Sequence, residues 1–364
     1  MAIHRNPGGE ISINVVARTI EDYALLLERE LQVSLSQLEG RAPLLSRMAQ
    51  YHLGWIDPAG EPTDPEIRFA VQGKRIRPQL AFMSCVAVGG DPAVAAPLAA
   101  AIELLHNFTL IHDDIQDRSP NRRHRATVWR IWGDAQAINA GDALFADAQR
   151  TLLRTGTTAI PAETLLHLVD EFNRITIEIV RGQVKDLEFE QQGSVSPDDY
   201  LSMINDKTAA ILRFAAWAGA IVGGAPVETA ERLGRFGESL GIGFQIRDDV
   251  LGIWGTREQT GKDQGDDIRR RKKSLPILML MNAAEDDETT RLRDLFASDE
   301  IDADGVAEVL AMMDRHGVEA AATEQVAHYH AQAADSLHAA MATLPDALSV
   351  DLEMLIRRLD TRSS

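Results

Sequence analysis

From Thr19 onward, apolar side chains return every three or four positions, and Ile20, Tyr23, Ala24, Leu27 and Leu31 line one face of an amphipathic helix. The same period predicts helices over about 74–88, 93–117, 134–154, 162–192, 197–222, 227–253 and 274–284. These stretches are rich in Ala, Leu, Glu, Arg and Gln, which cost little in a helix, while strand signals are scarce. Gly89-Gly90, Ser119-Pro120, Gly156, Gly193 to Pro197, Gly223 to Pro226 and Gly255 to Gly265 supply breaks, and DPAGEPTDPE at 57–66 is a polar interruption. None has the composition of an interdomain linker, and no internal period stands out. The pattern predicts one all-α domain over 1–364, a single large helical bundle, with residues 1–18 a loose extension.

Composition narrows the classes of partner. At 364 residues, with 45% hydrophobic and 25% charged, the chain is of soluble globular type, which excludes disorder and collagen-like repeats. Its 37 Lys plus Arg against 55 Asp plus Glu give a net charge of -18, which argues against sequence-independent binding to nucleic acid or an anionic membrane. The most apolar long stretch, Ala209 to Ala225, is interrupted by Arg213 and ends in Gly-Gly, short of the roughly 20 residues of a bilayer span. The start, MAIHRNPGGE, lacks the apolar core of a signal peptide. Cys85 is the one cysteine, in an apolar run, so it reads as a core residue in a reducing compartment. The expectation is a cytoplasmic protein with no membrane insertion and no nucleic-acid partner.

Candidate chemistry concentrates at two helix ends. In LLHNFTLIHDDIQD, Asp113 and Asp117 stand i,i+4 with Asp114 beside them, and His106 and Leu110 continue their face. Like charges so placed cost a few tenths of a kcal/mol and oppose the helix dipole, so a hard divalent cation such as Mg2+ would relieve them. A solvated acidic helix end is the plainer alternative for one such motif. A second pair, Asp248-Asp249, closes another apolar helix, and Gln245 and Gly252 share its face. Two pairs on separate helices favour a shared cation site over chance. The cations Lys74, Arg75 and Arg77 before one helix, and Arg122-Arg123-His124-Arg125 after the first motif, are either diphosphate clamps or solvated charge runs.

The ordered series GKRIRP, LLHNFTLIHDDIQD, RR, GQVKDLEFE, KT, FQIRDDVLG, GK and KKSLP resembles the trans-isoprenyl diphosphate synthases, the polyprenyl synthetase family, over roughly residues 70–280. The resemblance implies an isoprenoid-synthase bundle around a central apolar cavity, a homodimer, and Mg2+-dependent head-to-tail condensation of isopentenyl diphosphate with an allylic diphosphate. Three Mg2+ ions are implied, held by Asp113, Asp114 and Asp117 and by Asp248 and Asp249, with Gln183 and Asp186 beside them. Gly252 departs from the pattern, standing where the second motif has its last Asp. Lys74, Arg77, His106 and Arg123 match the isopentenyl diphosphate pocket, with Arg75 a flanking charge. Arg122, Lys207, Lys262 and Lys272 match groups holding the allylic diphosphate, although Arg271 replaces a glycine and leaves Lys272 and Lys273 as alternatives.

Lys207, Thr208 and Gln245 match groups lying near the allylic cation. His124-Arg125-Ala126-Thr127 departs modestly from the family's G-K/R-P-T. Phe108 and Thr109, five and four residues before Asp113, match the floor that limits chain length; the bulky Phe108 resembles short-chain enzymes that stop near twenty carbons, and DDIQD without an insertion argues against the common bacterial farnesyl type, with a fifteen-carbon product as the alternative. Helical geometry itself puts Thr109, not Phe108, beneath Asp113, since Phe108 lies about 140° away. The alternatives are a terpene cyclase of similar architecture and a non-catalytic regulatory subunit.

Overall fold

The computed structural model describes residues 20–40, 42–157, 160–192, 194–257, 263–298, 300–342 and 352. The first helices are α1 (Ile20–Glu39), α2 (Pro43–His52), α3 (Pro65–Gln72), α4 (Ile76–Ala87) and α5 (Pro92–Gln116). A two-stranded hairpin, β1 (Asn121–Arg122) and β2 (Arg125–Ala126), leads to α6 (Val128–Trp132), α7 (Asp134–Leu153) and α8 (Ala162–Gln191). Then come α9 (Pro197–Ile204), a π-helical turn (Asn205–Ala209), α10 (Ala210–Val222) and α11 (Val227–Trp254). The remaining described helices are a turn at Asp266–Arg269, α12 (Leu275–Ala283), α13 (Asp286–Ala297), α14 (Ala303–Arg315) and α15 (Val318–Met341).

The predicted boundaries follow local chemistry. Asp91 caps α5 by accepting from Ala93 N–H, and Ser196 caps α9 by accepting from Asp199 N–H, each with a proline in the first turn. α5 is the axis of the bundle. Its Leu98, Ile102, Leu104 and Leu105 are fully buried in a core that draws on α1, α4, α7, α8, α10 and α11. By length and composition α5 could cross a membrane, yet 78% of its most apolar window is buried inside the fold. Its apolarity is that of a central core helix.

Two local features depart from the sequence reading. The stretch expected as one helix over 197–222 contains the π turn at Asn205–Ala209, which re-aims Lys207 and Thr208. Between α5 and α6 lies the hairpin, in register Asn121↔Ala126 and Arg122↔Arg125. Its turn residues Arg123 and His124 both have positive φ, 50° and 63°. That conformation normally calls for Asn or Gly, so Arg-His carried no turn signal in the sequence.

Candidate active site

The carboxyl end of α5 brings three acids to one place and gives them different tasks. Asp114 is buried, and its Oδ1 accepts from Arg122 Nε at 2.9 Å and NH2 at 2.8 Å. It aims the hairpin arginine through that one oxygen. Asp113 and Asp117 face Lys207 and Asp186 across the gap to α8 and the π turn. Burial lifts the Asp113 carboxyl to about 6, Lys207 opposes the rise and Asp117 adds to it.

Lys207 Nζ donates to Asp186 Oδ2 at 2.6 Å, and Gln183 Nε2 donates to Gln116 Oε1 at 2.8 Å, so α8 is tied to both the π turn and the end of α5. The close approach depends on Gly182. A Cβ there would stand 2.4 Å from the Lys207 backbone nitrogen. Burial alone would lower the Lys207 ammonium, but Asp113 and Asp186 outweigh it and hold it above its ordinary range. One turn beyond Asp186, Glu190 is raised by burial and by Asp117 and Asp186. Glu190 is a further cleft acid that the motif reading quoted without assigning.

On α11 the adjacent acids also divide. Asp249 is fully buried and saturated: Tyr200 Oη donates at 2.5 Å, Lys272 Nζ at 3.1 Å, and Gln245 Nε2 and the Leu275 backbone N–H at 3.3 Å. Both of its oxygens accept from protein donors, so it acts as an internal anchor between α9, α11 and the start of α12. Asp248 is exposed. The walls around it still thin its hydration enough to lift its carboxyl to about 6, Asp249 adding to the rise and Lys272, Arg77 and Arg247 offsetting it. Thr208 Oγ1 donates to Gln245 Oε1 at 3.1 Å, so Thr208, Gln245 and Asp249 form one chain. Of the paired lysines, Lys272 meets these acids, whereas Lys273 Nζ donates to the carbonyls of Phe189 and Gln192. Lys262 lies outside the described residues.

A second cluster is cationic. Arg77, Arg122 and Arg123 surround His106 and His52. Burial first, then the arginines, drive His106 well below its ordinary value and His52 to about 3, so both imidazoles are neutral. The Arg77 Nε is buried with no hydrogen-bond partner among the described residues. Arg123 donates to Val71 O and rests on Gly73, where a Cβ would lie 2.7 Å from its NH2. Lys74 is exposed beside them. Arg75 is diverted, pairing with Glu28 at 3.0 Å and Glu103 at 3.9 Å, which makes it a strut between α1, α4 and α5. An anion would satisfy the unpaired Arg77 Nε and balance the clustered positive charge.

A cleft of about 1430 Å³ opens over the acids, lined by Asp117, Arg122, Asp186, Glu190, Tyr200 and Lys272 among others. Among the described residues no three acid, His or Cys side chains close into a ready-made metal cage. Phe108 turns to α7, its ring 5.2 Å from Phe145 and 4.9 Å from His112, while Thr109 Oγ1 donates to His106 O at 2.7 Å. Tyr200 and His52 lie outside the quoted motifs, and Gly73 and Gly182 stand inside them without an assigned role, because the roles of all four come from packing between distant segments.

Comparison with known proteins covers both motifs. The polyprenyl synthetase family model matches residues 66–313. The chain is 43% identical over 245 residues to a (2E,6E)-farnesyl diphosphate synthase of Mycobacterium tuberculosis (strain ATCC 25618 / H37Rv), covering 67% of this chain and 66% of that protein. The match therefore spans just under two thirds of that relative. A geranylgeranyl diphosphate synthase of the same strain is 37% identical over 316 residues, covering 85% of this chain and 84% of the relative. A crystal structure of polyprenyl synthetase from Streptomyces coelicolor A3(2) superposes with a TM-score of 0.80 at 35% identity, covering 93% of this chain and 99% of that one.

Proposed function

The chain belongs to the polyprenyl synthetase family, and we propose that it condenses isopentenyl diphosphate with an allylic diphosphate, head to tail, to give a short (E)-prenyl diphosphate. The observation that carries this reading is the pairing of an acid-lined cleft with an adjoining cluster of three arginines and two neutral imidazoles. Farnesyl and geranylgeranyl diphosphate are the products proposed, both on the names of the similar proteins and the twenty-carbon product also on bulky Phe108.

Asp113, Asp117 and Asp248 offer open carboxylate oxygens, a hard donor set that suits Mg2+, whose shell is ordinarily completed by water and substrate phosphates. Three ions are the proposed number. When bound, Mg2+ supplies charge neutralisation for a departing diphosphate. In this reading Arg122, Lys207 and Lys272 hold the allylic diphosphate, and Arg77, Arg123, Lys74 and neutral His106 hold isopentenyl diphosphate. Thr208 and Gln245, fixed to each other, lie where an allylic cation forms, and the apolar helix faces exclude the water that would quench it. The double bond of isopentenyl diphosphate attacks that cation, and the released diphosphate accepts the final proton.

A homodimer is part of the reading, supported by an exposed apolar row of Ile177, Val180 and Val184 on α8 with Ile138 on α7. So are a single domain, a reducing cytoplasmic setting and the absence of membrane insertion, supported by the large core shared by α1, α4, α5, α7, α8, α10 and α11, the lone Cys85 and the burial of α5.

The test is incubation with Mg2+, isopentenyl diphosphate and five-, ten- or fifteen-carbon allylic diphosphates, with chain lengths read by mass spectrometry. Accumulation at fifteen or twenty carbons is expected, and Arg77→Glu should abolish it. A cyclic hydrocarbon formed without isopentenyl diphosphate would overturn the reading in favour of a cyclase. Turnover only on adding a homologue would favour a regulatory subunit.

A further inference from the structure

The cleft over the acids continues past Lys272 to an outer end that the reaction above does not use. That end is lined by Arg271, by Met281 of α12 and by one face of α13, where Leu292, Arg293 and Phe296 follow Thr289 at i+3, i+4 and i+7. Both arginines are exposed. In a chain with 55 Asp plus Glu against 37 Lys plus Arg, carboxylates outnumber cations, and the neighbouring arginines find them. Arg270 pairs with Asp266 at 3.2 Å and Arg291 with Glu308 at 2.7 Å. Among the described residues Arg271 and Arg293 pair with no carboxylate. Arg271 also holds its place at a cost. Its φ is 56°, a left-handed conformation that glycine adopts freely and a branched L side chain does not, and this is where the family pattern has a glycine. Its Nη1 donates to Ser298 O at 2.6 Å, just past α13, which fixes the guanidinium beside the α13 face and leaves its other donors open. Backbone strain retained under an anchored, unpaired charge points to a use for that charge.

We propose that this outer end is a second site for a prenyl diphosphate, with the diphosphate of an elongated chain on Arg271 and Arg293 and its hydrocarbon against Met281 and Phe296. The identity of the ligand rests on the synthase reading above. Two features select an anionic amphiphile over a plain anion. The guanidinium groups offer planar forks to phosphate oxygens, and the half-buried Met281 and Phe296 supply an apolar wall in the same space. Because this end shares one cleft with Asp117 and Lys272, a product leaving the acids reaches it before bulk water. On a chain of net charge -18, unpaired cations at the outlet also give a trianionic product a local resting place that the rest of the surface denies it.

The test is equilibrium dialysis of the full chain against radiolabelled farnesyl S-thiolodiphosphate, whose carbon–sulfur bond resists ionisation. Isopentenyl diphosphate is kept saturating to fill the arginine and imidazole cluster, and Mg2+ or EDTA is present. Two analogue molecules per chain are expected with Mg2+ and one with EDTA, because the outer site is cationic whereas the bare acids repel a diphosphate. Arg271→Gly should weaken the metal-independent molecule about tenfold, and Arg271→Gly with Arg293→Gln about a hundredfold, while the Mg2+-dependent molecule is unchanged. Inorganic diphosphate should bind the outer site at least about tenfold more weakly than the analogue, since it has no hydrocarbon to bury. The melting temperature of Arg271→Gly should hold, relief of backbone strain offsetting the lost bond to Ser298. One molecule with Mg2+ and none with EDTA would overturn the inference, as would metal-independent binding that the double variant leaves intact. Failure of the unaltered chain to elongate any allylic diphosphate would instead remove the synthase reading, and the binding counts judge the outer site separately.

Discussion

Asp113 and Asp248 sit on different helices and are pushed to the same place, about 6 against an ordinary 3.8, chiefly because the surrounding protein strips water from them. Between pH about 4 and 6 the folded, metal-free protein keeps protons that the unfolded chain has released, so these two groups lower stability as pH rises through that window. Above it both are ionised and ready for a cation. Mg2+ should therefore raise the melting temperature clearly at pH 7.5 and barely at pH 5, where protons compete. Equal shifts at both pH values in a thermal scan would show that the ion binds elsewhere. Backbone strain gives another expectation at this scale. His124 holds a φ of 63°, which costs an L residue about 1 kcal/mol, so His124→Gly should stabilise the fold by about that much in urea denaturation.

At the scale of elements, the site depends on two helices meeting more closely than side chains allow. Gly182 lets α8 lie against the π turn, and an Ala there would overlap the Lys207 nitrogen. Gly182→Ala should cost about 2 kcal/mol by overpacking and lower turnover by tilting Lys207 off the acids. Stability loss with unchanged kcat would show that the π turn does not set the position of Lys207. The helices themselves were legible because their ends are written locally, in caps such as Asp91 and Ser196 and in Gly and Pro breaks. The first motif was legible for a similar reason, since i,i+4 spacing fixes a shared face. The π turn was not, because it depends on contact with α8. Nor could spacing tell that Asp249 is buried beneath Tyr200 and Lys272, or that Arg75 is drawn off by Glu28 from α1. Those are long-range facts, and a one-dimensional pattern carries no distance between remote segments.

At the scale of the molecule, most of the large apolar side chains turn inward, which makes the row on α8 conspicuous. Ile177 is 69% exposed, and Val180 and Val184 continue its face at i+3 and i+7, with Ile138 of α7 also open. Placed on the same helix as Gly182, Gln183 and Asp186, a covered row would stiffen the segment that fixes Lys207 from outside, so assembly and activity would be coupled through α8. Ile177→Asp with Val180→Asp should give a monomer at micromolar concentration in sedimentation velocity, where the proposed assembly has the unaltered chain sedimenting as a dimer. The monomer should also turn over more slowly if the coupling holds. A variant that still sediments as a dimer would put the interface on another face, and a fully active monomer would leave α8 held by the bundle alone.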